Sequence, residues 1–403
     1  MLLTESHTIT TKHPFWGECD DLCWRSKNLY NAGLYSVRQH WFETKTYLNY
    51  PSNYHRMKPH EAYAGLPAKV SNQTLRMVDQ NFQSFFGLLK TQGGTARIPK
   101  YLDITKGRYL VKYEKQALGK RHFFKTGTLL LSQTSIEVET KVSDWDSIRE
   151  VRIVPRGGNY RLEVVYEQKE KIAMGSLVAA VDPGLNNLAT VTYSDGRKPL
   201  IVNGRPLKSM NQYWNKTVAR LKGQLEKEVK CKTSKRLTRL NHKRSAKVAD
   251  YMHKASRMLV NQLVSNDVGT LILGKNVGQK QDINLGKTTN QNFTQIPTFR
   301  FLGLVAYKAR LEGIEVQYQE ESYTSKASFL NLDPIPVWGD DVSGVEFSGY
   351  RESRGVYKVK GSNVRINADV NGSYNIMRKA VPNVFAEGIE AHAVVPWVVT
   401  PQR

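Results

Sequence analysis

The sequence predicts a multidomain chain of α/β and α+β class. Three observations carry this: 403 residues with 40% hydrophobic content can build separate cores in two or three domains, short period-two segments alternate with long helical ones, and the pattern changes character near Ser176. The charge balance adds a partner class. With 59 Lys and Arg against 36 Asp and Glu, the net charge of +23 far exceeds what solubility requires, so a polyanion is the natural partner.

Up to about Gln168 the chain reads as a β-rich module with a helical insertion. Helical spacing runs through residues 20 to 90, first at Leu22, Leu29, Leu34, Val37 and Trp41, then at Met77, Phe82, Phe85, Phe86 and Leu89. From 105 to 168 the period falls to two, and Gly157-Gly158-Asn159 reads as a hairpin turn between Arg152-Ile153-Val154 and Tyr160 to Tyr166. Beyond Ser176, the apolar run Leu177 to Val181 ends in Asp182-Pro183-Gly184. The alternating Ala189 to Tyr193 and the strand-like Leu200-Ile201-Val202 follow. A long basic helical region (205 to 265) precedes a strand at Thr270 to Leu273, a helix from Pro297 to Glu312, a strand at Ile314 to Tyr318, and a helix opened by Asp369. In order this is β-β-β-α-β-α-β-insert-α, the chain order of an RNase H-like fold.

Three cysteines, Cys19, Cys23 and Cys231, are too few for a disulfide framework, and Cys19 and Cys23 suit a helical core. No basic-then-apolar leader and no apolar run of about 18 residues is present. The expectation is therefore no membrane association and a cytoplasmic setting, near the nucleoid of a prokaryote.

Between Arg205 and Arg257 lie 16 Lys or Arg and three acids, a net +13. Apolar residues from Val218 to Leu263 keep helical spacing on both sides of Cys231-Lys232-Thr233-Ser234, a candidate hairpin tip. A solvated face would mix signs for pairing, and this one does not, so Arg220, Lys222, Lys232, Lys235, Arg236, Arg239, Lys243, Arg244 and Lys247 read as sequence-blind phosphate contacts. Tyr54, Arg56 and Lys58, in a stretch where aromatic and basic residues interleave, read equally as nucleic-acid contacts or as a Tyr-rich loop packing on its own helices.

Phosphodiester hydrolysis at neutral pH is most readily served by two divalent ions about 4 Å apart, held by carboxylates from separate elements. Asp182, at the end of an apolar strand, suits a ligand and equally a turn former before Pro183-Gly184. Asp369 suits a ligand and equally a helix N-cap.

Five ordered motifs go further. The segment Val181 to Thr190 resembles the first RuvC motif of TnpB proteins. Leu273 to Asn276, Asn290 to Phe293, Glu320 to Lys326 and Ile366 to Ile376 are similar to later landmarks of one TnpB branch, in the same order. The resemblance implies an RNA-guided DNA endonuclease with a RuvC domain whose catalytic, metal-holding residues are Asp182, Glu321 and Asp369, with Glu320 the alternative to Glu321. It implies two Mg2+ ions, replaceable by Mn2+, a guide RNA transcribed near the gene, and double-stranded target DNA with a short flanking motif. A transposase from the same element is a possible further partner. A miniature type V CRISPR effector, or a guided DNA-binding protein without cleavage, shares most of these features.

Two departures stand out. Gly274 occupies the place where many TnpB proteins carry the middle glutamate, and the interval 328 to 361, where relatives carry a zinc ribbon, has no Cys or His, so no thiolate zinc site is expected. The implied domains are a wedge-like β-barrel (1–20 and 100–172), a helical recognition lobe (21–99), and the RuvC nuclease (173–327 and 362–382, with 205–265 as a basic helical insertion). A ribbon-like, metal-free insert (328–361) and a C-terminal tail (383–403) complete the chain.

Overall fold

A computed structural model describes residues 1–172, 175–228, 231, 233–276, 290–291, 294–385 and 394–401. Val229, Lys232, Asn292 and Phe293 lie outside the described residues. The chain divides into two compact units, Met1–Lys169 and Glu170–Arg403.

In the first unit, β1 (Leu2–Ile9), β2 (Val111–Glu114), β5 (Ile148–Arg156) and β6 (Asn159–Glu167) form an antiparallel sheet in the order β1-β6-β5-β2. The hairpin β5–β6 turns at Gly157 and Gly158, whose φ of 54° and 88° is a conformation that glycine adopts without strain. A second, two-stranded antiparallel sheet joins β3 (Thr128–Leu130) and β4 (Glu137–Glu139). The helices are α1 (Trp16–Thr44), α2 (Tyr50–Met57), α3 (Glu61–Ala64), α4 (Ala68–Gln92) and α5 (Lys120–Thr126). Cys19 and Cys23 of α1 are fully buried in the core with Leu29, Leu75 and Val111.

The second unit is built on a six-stranded sheet. Its strands are β7 (Leu177–Asp182), β8 (Asn187–Tyr193), β9 (Leu200–Asn203), β10 (Val268–Gly274), β11 (Glu315–Gln319) and β15 (Trp397–Val399), in the order β11-β10-β7-β8-β9-β15. β7, β8 and β9 are antiparallel neighbours, whereas β10 runs parallel to both β7 and β11. The first five strands thus have the order and directions of an RNase H-like sheet. β15, parallel to β9, is an addition: residues read as tail from the sequence supply a sixth strand.

Helices α6 (Arg205–Glu228), α7 (Lys235–Ser265) and α8 (Thr298–Leu311) belong to this unit, as does α9 (Ala368–Ala380). Strand alternation decides which face each side chain meets. Ala179, Val181, Leu271 and Leu273 pack into the core with α7 and α8, while Ala180 and Ile272 face Val370, Tyr374 and Ile376 of α9. Asp182 and Gly274, each two residues further on, therefore fall on the α9 face. Between β11 and α9 the chain forms a three-stranded antiparallel sheet of β12 (Gly349–Ser353), β13 (Val356–Val359) and β14 (Arg365–Asn367). Among the described residues, no helix is long and apolar enough to cross a membrane.

Candidate active site

The strand ends β7 and β10 open into a cleft of about 660 Å³, whose lining includes Asp182, Asn187, Asn276, Glu321, Arg351 and Asp369. Asp182 is the last residue of β7, paired with Thr190 across the ladder, so its position is set by a rigid element. Asp369 lies in the first turn of α9 but does not cap it. The cap is Asn367, whose Oδ1 accepts from Asp369 N (2.9 Å) and Val370 N (3.2 Å), which corrects the expectation of a helix opened by its acidic residue. The Asp369 carboxylate is free to face the cleft, where it accepts from Asn187 Nδ2 (2.6 Å) and Arg351 Nη2 (3.1 Å).

Gly274 and Glu321 explain one another. A Cβ added at Gly274 would stand 2.5 Å from Glu321 Oε1 and 2.8 Å from Ile376 Cδ1, so the carboxylate of Glu321 fills the space that a side chain on β10 would need. Gly372 of α9 makes the same allowance for Asp182, since its Cβ would lie 2.7 Å from Oδ2. The two adjacent glutamates diverge. Glu320 pairs with Lys379 and accepts from Ser322 N, whereas Glu321 Oε1 is buried with no hydrogen-bond partner among the described residues.

Charge is crowded here. Burial, and then the charges of Glu321 and Asp369, push the Asp182 carboxyl well up, with Arg351 opposing. Burial and the neighbouring Glu320 push Glu321 up to about 7. Against the burial that would raise it, Lys379 and Ser322 hold Glu320 below the usual carboxylate range. Among the described residues, no three acidic, His or Cys side chains close around one point as an ion requires. Arg351 and Asn187 occupy both oxygens of Asp369. The donor set nevertheless suits a hard divalent cation: it is all oxygen, one of its atoms is buried and unpartnered, and burial disfavours the ionised forms of Asp182 and Glu321.

Several residues of this site carried no sequence signal. Arg351 comes from β12, within an insert anchored by the buried Asp333, which accepts from Ser328 N (2.7 Å), Ser348 N (2.8 Å) and Ser348 Oγ (2.6 Å). Asn371 and Asn375 of α9 tie down the segment after Glu321, donating to Ala327 O (2.8 and 2.7 Å) and, from Asn375, to Thr324 O (2.9 Å). Their place in the last motif hinted at importance without indicating a partner.

On the basic helices, Arg220, Lys222, Lys235, Arg236, Arg239, Lys243 and Lys247 are exposed. Arg244 is not part of that cationic face. Its guanidinium donates to Asn211 Oδ1 (2.9 and 2.7 Å) and Gln295 O (3.0 Å) and lies over the Trp214 ring, bracing α7 against α6. In the first unit Arg56 and Lys58 are exposed, whereas Tyr54 is half-buried in a cluster with Tyr50, His55 and Tyr63.

A strand order of this kind, with Asp182 at the carboxyl end of a central strand, defines a mixed α/β multidomain protein with an RNase H-like core. Sequence comparison matches two stretches of the chain. Residues 160–280 match the OrfB_IS605 family of probable transposases, and residues 299–376 match the Cas12f1-like TNB domain. These matches support the resemblance of the motifs to TnpB proteins.

The chain is 27% identical over 252 residues to the CRISPR-associated endodeoxyribonuclease Cas12f2 of a Micrarchaeota archaeon, covering 58% of this chain and 43% of that protein. The matched stretch thus spans less than half of that relative. It is 23% identical over 244 residues to the TnpB-like protein MJ0751 of Methanocaldococcus jannaschii, covering 56% of this chain and 80% of that one. The solved Cas12f1–sgRNA–target DNA complex aligns over 93% of this chain and 98% of its own at 16% identity, with a TM-score of 0.37, too low to carry weight.

Proposed function

We propose that this protein is an RNA-guided DNA endonuclease with one divalent-metal carboxylate site formed by Asp182, Glu321 and Asp369. The observation that carries the proposal is the steric exchange at Gly274, where the carboxylate of Glu321 occupies the position left free by the glycine, on the same face as Asp182. This favours an intact, rearranged site over a guided binding protein that has lost cleavage, for which Gly274 alone would have spoken. Bound Mg2+, or Mn2+ in its place, would supply charge neutralisation at the phosphate and a water acidified for attack.

The chain's own residues prepare for this. Asp182 is held at the end of β7 and Glu321 two residues beyond β11, in a setting that disfavours their free charge, and Asn187 and Arg351 orient Asp369. Arg205 and Arg354 also line the cleft and provide positive charge for a phosphate backbone. The exposed cations of α6 and α7 are suited to guide RNA or DNA phosphates. Target choice would then rest on base pairing, in keeping with a guide transcribed near the gene and double-stranded DNA as substrate.

The test is cleavage of matched DNA by the protein purified with its guide. Asp182→Ala and Asp369→Ala should each stop cutting while leaving guide-dependent DNA binding nearly intact. Cutting that survives either change refutes the assignment.

A further inference from the structure

Two consecutive carboxylates follow β11, and consecutive side chains of an extended segment point to opposite sides. Glu320 and Glu321 could exchange roles if this short segment turned over, because nothing in glutamate chemistry distinguishes them. What distinguishes them is Lys379, in the last turn of α9. Its side chain is only 7% exposed, and its ammonium donates to Glu320 Oε2, to Ser322 O (3.1 Å) and to Pro336 O (3.0 Å). An ammonium has three donors, and all three are placed. Ser322 N closes the loop by donating to Glu320 Oε1. On the other side, Asn276 Oδ1 accepts from Glu321 N (3.1 Å), and Thr324 Oγ1 donates to Glu321 O (2.8 Å).

We propose that Lys379 is a positioning residue that selects which of the two carboxylates enters the cleft, by holding Glu320 and the Ser322 and Pro336 carbonyls away from it and so leaving Glu321 beside Gly274. The inference rests on the reading of Glu321 as a cation ligand. On this reading α9 serves the site twice, since it carries one ligand, Asp369, and through Lys379 orients another on a different element. Without Lys379, Glu320 is an unpaired, partly buried acid with reason to seek the same cation, and the segment no longer has a single preferred orientation.

The experiment titrates the full-length, metal-free protein with Mn2+, following the free-ion electron paramagnetic resonance signal and recording the melting temperature of every variant. Lys379→Met should bind Mn2+ about tenfold or more weakly, as expected when a residue that orients a ligand is removed. Glu320→Gln should bind as the unmodified protein does. The double variant Lys379→Met/Glu320→Gln, in which no competing acid remains, should recover to within about threefold, a departure from additivity that marks the two residues as coupled.

Undiminished binding by Lys379→Met overturns the inference. So does a double variant as weak as Lys379→Met alone, which would make Lys379 a structural prop. If Lys379→Met does not fold, the double variant, whose buried pair is neutral, decides: binding within about threefold of the unmodified protein supports the inference, and binding about tenfold or more weaker overturns it. Failure of the underlying site looks different: the unmodified protein would then bind no Mn2+, or would bind it equally well after Glu321→Gln, and the inference would fall with it.

Discussion

Glu321→Gln is expected to stabilise the metal-free protein at alkaline pH while abolishing its response to divalent ions. Burial and the charge of Glu320 move the Glu321 carboxyl from 4.5 to about 7. At about 1.4 kcal/mol for each tenfold change in acidity, the ionised side chain costs the folded state about 3 kcal/mol. The sign follows from proton linkage. The folded protein holds this proton more tightly than the unfolded chain, so stability falls as pH rises from about 4.5 to about 7 and is level beyond. A glutamine, neutral throughout, removes that loss.

For a unit of this size, about 3 kcal/mol corresponds to roughly 5–10 °C in melting temperature. Thermal unfolding in chelator-treated buffer should show the two proteins nearly equal at about pH 5 and Glu321→Gln the more stable at about pH 8. Adding Mg2+ at the higher pH should raise the melting temperature of the unmodified protein, because ligand binding to the folded state adds to its stability, and should leave the variant unmoved. A difference that does not vary with pH, or a variant less stable at about pH 8, would refute the electrostatic reasoning.

Gly274→Ala should abolish Mn2+-dependent stabilisation, because its methyl group would meet the Glu321 carboxylate at 2.5 Å, and a melting curve with and without the ion checks this. Neutralising Lys235, Arg236, Arg239, Lys243 and Lys247 together should weaken nucleic-acid binding and flatten its salt dependence by about 0.9 in logarithmic slope for each phosphate no longer neutralised, read from binding isotherms across a salt series. Arg244→Ala should instead lower stability by about 1–3 kcal/mol in a denaturant titration, with little change in that slope, because it strips the buried Asn211 of its donor.

The strands of the second unit were legible because their apolar runs are long enough to show a pattern. Leu177 to Val181 and Thr270 to Leu273 are buried on both faces and read as continuous hydrophobic segments. β15 was not legible: it spans three residues, and Trp397 and Val398 are more than half exposed, so neither burial nor alternation marks it. On α7 the apolar stripe was visible, but the separation of Arg244 from its cationic neighbours was not. That depends on Asn211 and Gln295, residues distant in the chain that present the acceptors it meets.

The same division runs through the candidate site. The order of motifs and the continuous apolar runs of β7 and β10 placed Asp182 and Gly274 at strand ends from the sequence by itself. Composition pointed to a polyanionic partner. Only the tertiary structure decided that Asn367 and not Asp369 caps α9, that Arg351 reaches Asp369, and that Glu321 faces the cleft while Glu320 pairs with Lys379. The physical reason is range. Periodicity and end-capping chemistry act over a few neighbouring residues, whereas the direction of a side chain at the end of a strand is settled by the space and charges that remote segments leave for it.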